Sequence, residues 1–349
     1  MLSTVFAALL PACVLLPAVA PAQEATDSPA PKVANRLFSD TTAFTIKLTA
    51  DLKRAFKDRD PAKDEWVPGT LEWAGAGSGS IPVEITTRGN FRLKPGNCGF
   101  PGLKVRFPTE QSENTLWEGQ SAIKLGTHCR SGSARYMQIP LQEALVYRIY
   151  NMITDSSFRV RPVKATYVDT GDDNKTVEAP AFFIEDDDDL AARTGMKSIE
   201  RQGVRFLDLA PEQAAQMSVF LYLIGNTDWS LPYLHNINLF DKAGKLVAVP
   251  YDFDWAGIVD APYAVPDSRL KIRSVRDRLW RGPCLSTEVI QGALQRYRER
   301  KEVIYALYTT AQGLDPKLVK SSLEYLDAFY KTINSPKDVE REMRSVCSR

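Results

Sequence analysis

From Phe44 the chain alternates apolar and polar positions in short runs: FTIKLTADL, GTLEW, IPVEITTRG, LKVRF and SAIKL, each bounded by Gly, Pro or Asn. A period of two sends every second side chain to one face, so these runs predict five strands before residue 130 in a mainly antiparallel sheet. After Pro140 the period lengthens. In LQEALVYRIYNMI, Leu141, Ala144, Leu145, Ile149 and Met152 fall near one helical face. Residues 163–169 and 179–184 return to strand as a hairpin about the polar turn GDDN. Five acids at 185–189 then open a helix, DLAART, whose dipole they meet favourably; a site for a cationic substrate is the functional alternative.

Pro211 starts an apolar helix, PEQAAQMSVFLYLIGN, and Gly225 stops it. LHNINLFD and KLVAVPYDFD read as two strands joined around Asp241-Lys242-Ala243-Gly244. Two or three amphipathic helices follow from about Glu288, and RLKIRSVRDRLWR reads as a solvated helix face. Gly75-Ala76-Gly77-Ser78-Gly79 lies between two strand runs with no helix after it, so a hairpin turn is preferred to a phosphate cradle.

The N-terminus has a different logic. Residues 2–22 are almost wholly apolar, carry no Lys or Arg, and end in Ala20-Pro21-Ala22, as a secretory signal does. Pro11, Pro17 and Pro21 in so short a run argue against a membrane anchor, and no later segment is long and apolar enough to span a bilayer. The expectation is a secreted or periplasmic protein without a transmembrane anchor after signal removal. Cys98, Cys129, Cys284 and Cys347 then remain, an even number that suggests two disulfides in an exported chain. Cys98–Cys129 and Cys284–Cys347 would each staple one half.

The 349 residues, 44% hydrophobic and 25% charged, suffice for a two-lobed globular protein. The expected division is a signal at 1–22, a disordered mature terminus at 23–39, a β-rich N-lobe with one helix at 40–185 and a helical C-lobe at 186–349. A net charge of +1 argues against a nucleic-acid partner, and two histidines exclude a His-rich metal site.

Chemistry concentrates between Gly225 and Gly257, in GNTDWSLPYLHNINLFDKAGKLVAVPYDFDWAG. Asp228 on a loop is placed to orient an acceptor hydroxyl. Asp252, ending an apolar strand, is the natural magnesium carboxylate, with Asp254 as a second ligand. Asn236 or Asn238 offers an amide oxygen; two apart on a strand, both face one side.

These motifs resemble the spore-coat CotH kinase family. The chain offers Asn226-Thr227-Asp228, His235-Asn236-Ile237-Asn238 and Tyr251-Asp252-Phe253-Asp254, and upstream Thr87-Arg88-Gly89-Asn90 before GLKVRF. The resemblance spans roughly residues 80–260. It implies an α+β, two-lobed protein-kinase-like fold with an antiparallel β-rich N-terminal lobe and a mainly helical C-terminal lobe. It also implies ATP and Mg2+ or Mn2+ as cofactors, Asp228 as base, Asp252 as metal aspartate, and Asn236 or Asn238 as second metal ligand. Lys124 on its strand and Glu143 on the following helix have the spacing of a kinase lysine–glutamate pair. Arg88, Lys104 and Arg106 are alternative phosphate-binding cations. Departures are the lack of H-R-D, of D-F-G and of a convincing glycine loop.

The function expected is an exported phosphotransferase acting from a nucleotide on a hydroxyl of a protein or envelope component. A catalytically inactive surface or envelope binding protein is the alternative, and a metal-assisted hydrolase using Asp252 and Asp254 a third reading.

Overall fold

The alternating runs do become strands, but they close on themselves. The structure, a computed structural model, describes Met1 and residues 35–57, 59–60 and 65–347. Beyond Met1 the expected signal segment lies outside the described residues. Among the described residues, β1 (Phe44–Ala50), β2 (Val67–Ala74), β3 (Ser78–Arg88), β4 (Gly102–Arg106), β5 (Ala122–Gly126), β6 (Val160–Asp169) and β7 (Lys175–Ile184) form a closed barrel. Its order is β1-β2-β3-β4-β5-β7-β6. The closing pair is parallel, from Phe44 opposite Val163 to Ala50 opposite Asp169; the other barrel pairings are antiparallel.

This corrects the expected two-lobed protein-kinase-like fold: a closed barrel of mixed strands is a different architecture. The reason lies in the hairpin β6–β7. It comes back after a helix and covers the edge of β1, which an open sheet would leave unpaired. Barrel and helical region belong to one compact unit. Leu37–Ser39, assigned above to a disordered terminus, form a short 3-10 turn with Leu37 and Phe38 buried.

The barrel interior is packed with Ile46, Leu48, Leu71, Ile85, Leu103 and Leu125 among others. Trp117 lies inside it, stacked on Phe107 at 4.7 Å and edge-on to Trp73 and Phe183. The outer face of β7 belongs to a second core: Phe183 points into the barrel, whereas Phe182 and Ile184 pack on helices. Burial on both faces explains why AFFI is continuously apolar.

The second core gathers α1 (Ile139–Asn151), α2 (Asp187–Thr194), α3 (Pro211–Ile224), α4 (Thr287–Glu299), α5 (Lys301–Thr309) and α6 (Pro316–Ile333). With them packs a three-stranded sheet, ordered β10-β9-β8, of β8 (Lys197–Ile199), β9 (Ile237–Lys242) and β10 (Lys245–Pro250). The start and stop signals of α3 hold: Pro lies in its first turn and Gly225 caps it at φ 67°. Buried almost all round, α3 runs through the middle of this core.

The segment 269–281 is not the solvated helix expected. It is irregular chain in which Arg276, Arg278 and Arg281 serve backbone carbonyls, while Arg269 pairs with Asp267. Arg278 donates to Tyr222 O and Leu223 O at the end of α3, where helical carbonyls lack partners, and its guanidinium lies 3.7 Å from the Tyr325 ring centre. Both expected disulfides form, Cys98–Cys129 and Cys284–Cys347. Two disulfides suit an oxidising compartment. No helix among the described residues is long and apolar enough to cross a membrane.

Candidate active site

Three cations share the outer face of the barrel. Lys104 on β4 and Lys124 on β5 lie directly opposite each other, and Thr86 on β3 opposes Lys104, which puts Arg88 on the same face two residues on. Ile184 opposes Lys124 in turn and packs into the helical core, so this row faces the helices. Burial lowers the ammonium of Lys124 below its ordinary value, with Arg88 and Lys104 acting in the same sense and Asp187 and Asp186 opposing. Lys124 Nζ stands 3.9 Å from Asp187 Oδ1 and 5.5 Å from the Tyr251 ring centre.

The expected Lys124–Glu143 pair does not form; Asp187, at the start of α2, is the carboxylate beside Lys124. Glu143, buried on α1, belongs to a different group. Burial raises its carboxyl well above the usual range, with Asp254 and Asp252 adding to the rise and Arg92 and Arg88 opposing it. One turn along α1, the Tyr147 hydroxyl accepts the Asp252 N–H at 2.9 Å. Asp252 adopts φ 62°, a left-handed conformation that Asp tolerates better than most residues. This kink comes two residues after the end of β10. Asp254 is buried, its Oδ2 accepting from the Tyr263 hydroxyl at 2.6 Å. Its carboxyl is pushed up to about 7, chiefly by burial and then by Asp252, while Arg92 and the Tyr263 bond pull it down and Asp228 adds to the rise.

Sequence reasoning missed the cation at the centre of this group. Arg92 is partly buried, and the charges of Tyr263, Asp254, Glu143 and Asp252 favour its protonated form. It donates to Thr127 O and, at 3.3 Å, to Thr127 Oγ1. Its neighbour Phe91 packs on Trp255 and Tyr263 at 5.2 and 5.3 Å between ring centres. Position four residues past Arg88 was its available signal.

Asp228 sits on the loop that α3 delivers. Its N–H donates to Asn226 Oδ1 at 2.9 Å, its Oδ1 lies 3.0 Å from His235 Nε2, and Asn236 Nδ2 donates to its carbonyl at 2.7 Å and to Oδ2 at 3.1 Å. Arg281 Nη1 donates to the carbonyls on either side, Thr227 O at 2.6 Å and Trp229 O at 2.7 Å, so three consecutive carbonyls are held by side chains. A cavity of 830 Å³ opens beside Asp228, lined also by Trp229, His235, Trp255, Arg269 and Arg281.

The two asparagines do not share a face as expected. Asn236 precedes β9 at φ 54°, which breaks the period of two and turns it to Asp228; Asn238 lies inside β9 and lines a separate cavity with Asp187.

No family model matches the chain, and no curated protein matches it. The likeness to the CotH family therefore rests on the motif residues themselves.

Among the described residues, no three His, Cys, Asp or Glu side chains converge as a metal-ligand set. Two carboxylates on one short segment nevertheless suit magnesium, which takes one or two carboxylates and completes its shell with phosphate oxygens and water. Burial is the main cause of the raised Asp254 carboxyl; the charge of Asp252 comes second, and only that part would be relieved by a divalent cation. The donors, all oxygen, fit a hard cation.

Proposed function

We propose that this chain is a phosphotransferase of the CotH family, moving a phosphoryl group from a magnesium- or manganese-bound nucleotide to a hydroxyl of a protein or envelope component. We further propose that it acts after export, secreted or in a periplasm, through a cleaved signal peptide. The observation that supports the reading is the fixed position of Asp228, held by Asn226, His235, Asn236 and Arg281 beside a cavity that Trp255, next in the chain to Asp254, also lines.

The roles follow from the surroundings of each group. Asp228 has its backbone fixed by Arg281, Asn226 and Asn236, and its carboxylate oriented by His235, so it can take the proton of an acceptor hydroxyl entering the adjoining cavity. Lys124, Lys104 and Arg88 supply positive charge for phosphate oxygens. Asp252 and Asp254 would hold the metal, which when bound neutralises phosphate charge. Arg92 keeps the carboxylate group from carrying unbalanced charge, and Tyr147 and Tyr263 fix its geometry.

Thermal melting with ATP and magnesium or manganese tests this. The wild type should be stabilised, Asp252→Ala should lose the shift, and Asp228→Ala should keep the shift but lose phosphoryl transfer. Absence of any nucleotide-and-metal shift in the wild type refutes the reading. A biological function untouched by both variants points instead to a catalytically inactive envelope binding protein.

A further inference from the structure

A cavity of 720 Å³ adjoins the one beside Asp228, and Trp229, Ser230, Leu270 and Arg281 line both. The two differ in character. The first carries Asp228 and Asp267 as well as arginines, whereas the second is lined by Arg205 and Arg281 and, among the described residues, by no Asp or Glu. Its open wall is apolar: Phe206, Leu207, Pro232, Leu270 and Leu279 are each at least partly exposed.

Exposed apolar surface gathers around this pair of cavities. Among the described residues six large hydrophobic side chains are exposed, and Leu207, Tyr233 and Val265 are three of them. Leu207 lines the second cavity, and Tyr233 and Val265 line the first. At 88% exposure Leu207 contributes little to the core. Apolar side chains grouped at adjoining cavities, with charged residues at the rim, mark a surface that takes a partner. The charge is available too. The Arg205 side chain is 73% exposed, and its Nε stands 4.0 Å from Asp208 Oδ2, beyond hydrogen-bond reach.

An occupant matched to both cavities carries a hydroxyl for Asp228, and beside it a large apolar group and a negative charge. We infer that the second cavity is a specificity pocket for an acceptor polypeptide. With a Ser or Thr hydroxyl at Asp228, a nearby large apolar side chain packs on Leu207 and Leu270, and an acidic one meets Arg205. The ground shared by the cavities includes Ser230 and Arg281, half-buried polar residues. Polar donors there suit the carbonyls of a backbone crossing from one cavity to the other, which an acyl chain would leave unserved. The volume falls within the range of small-ligand sites, about 300 to 1,000 Å³, so a bulky side chain enters with room beside it. The inference rests on the phosphotransfer reading, since it takes Asp228 as base for the acceptor. It narrows that acceptor from any envelope hydroxyl to a polypeptide with an apolar and acidic flank.

The probe is a positional-scanning set of peptides, each with one serine, incubated with the mature protein, ATP and magnesium. Leu, Phe or Trp at one position near the serine should raise kcat/KM about 10- to 100-fold over Ala, as burial of such a side chain predicts. Asp or Glu should be preferred to Lys close by. Leu207→Ser should cut the apolar preference. Arg205→Glu should turn the preference for acid into one for Lys, an inversion that mere loosening of the fold does not produce. Both side chains are largely exposed, so neither change should unfold the chain. A wild type without side-chain preference overturns the pocket assignment while sparing phosphotransfer, and so do preferences left intact by their variants. Binding of magnesium–ATP with no transfer to any peptide, or transfer to phosphatidylglycerol vesicles alone, does the same. If the protein neither binds nor turns over ATP, the phosphotransfer reading falls and takes this inference with it.

Discussion

Asp254→Asn isolates the proton held by the buried carboxylate group. The folded carboxyl is pushed up to about 7 from 3.8, so from about pH 4 to about pH 7 the folded chain keeps a proton that the unfolded chain releases. For an acid raised in this way, the favourable state is the protonated one. Stability is therefore fullest at acid pH and is lost as pH rises through about 7. At about 1.36 kcal/mol per pH unit the whole shift is worth about 4 kcal/mol, of which about 3 kcal/mol falls between pH 4.5 and pH 8. Sharing of the proton with Glu143 lowers this toward about 2 kcal/mol, because the pair titrates together. The asparagine keeps the shape and an oxygen for the Tyr263 hydroxyl but cannot ionise. Urea unfolding with a chelator and intact disulfides, at about pH 4.5 and about pH 8, provides the measurement. The variant should gain on the wild type by about 2–3 kcal/mol at the higher pH. If the two stability curves run parallel to within about 0.5 kcal/mol, the cluster does not hold that proton.

Three further outcomes are expected. Arg281→Lys keeps a charge but cannot fork to the Thr227 and Trp229 carbonyls, so transfer kcat should fall about 10- to 100-fold with nucleotide affinity unchanged; a drop in affinity alone would deny the positioning role. Gly225→Ala puts a Cβ against the Tyr325 hydroxyl at a φ of 67°, and urea melts should show a loss of about 1–3 kcal/mol, partly restored by adding Tyr325→Phe. Removing the Cys284–Cys347 disulfide with a Cys284→Ser, Cys347→Ser double variant should cost about 2–4 kcal/mol, and added reductant should then change its melting less than it changes the wild type's.

Local pattern carried much of the secondary structure. The five early runs are strands, the hairpin about GDDN is β6–β7, and α1 and α3 begin and end near their sequence signals. Both disulfide pairings were also legible from cysteine positions. Closure of the barrel was not. Pairing of β1 with β6 joins segments over a hundred residues apart, and neither strand's alternation names its partner. Motif spacing singled out Asp228, Asp252 and Asp254, and the cations Arg88, Lys104 and Lys124, which the structure sets in one row on the barrel. It misassigned the partners of Lys124 and Glu143, since a lysine on an alternating strand meets whatever carboxylate packing brings to it. The arginines of 269–281 misled for a related reason. Basic residues interleaved with apolar ones read as an amphipathic surface, yet a guanidinium's several donors suit it equally to tying down carbonyls from within the fold.

The parallel seam between β1 and β6 also sets an order of events as the chain is made. Five strands can pair with their sequence neighbours early, but β1 and β5 each keep a bare edge until residues 160–184 arrive, because β6 covers one and β7 the other. Until then the nascent sheet offers two open borders to any other extended chain. A truncation that stops after α1 should therefore give a sticky, aggregating product rather than a smaller stable domain, and refolding should wait on this one long-range pairing.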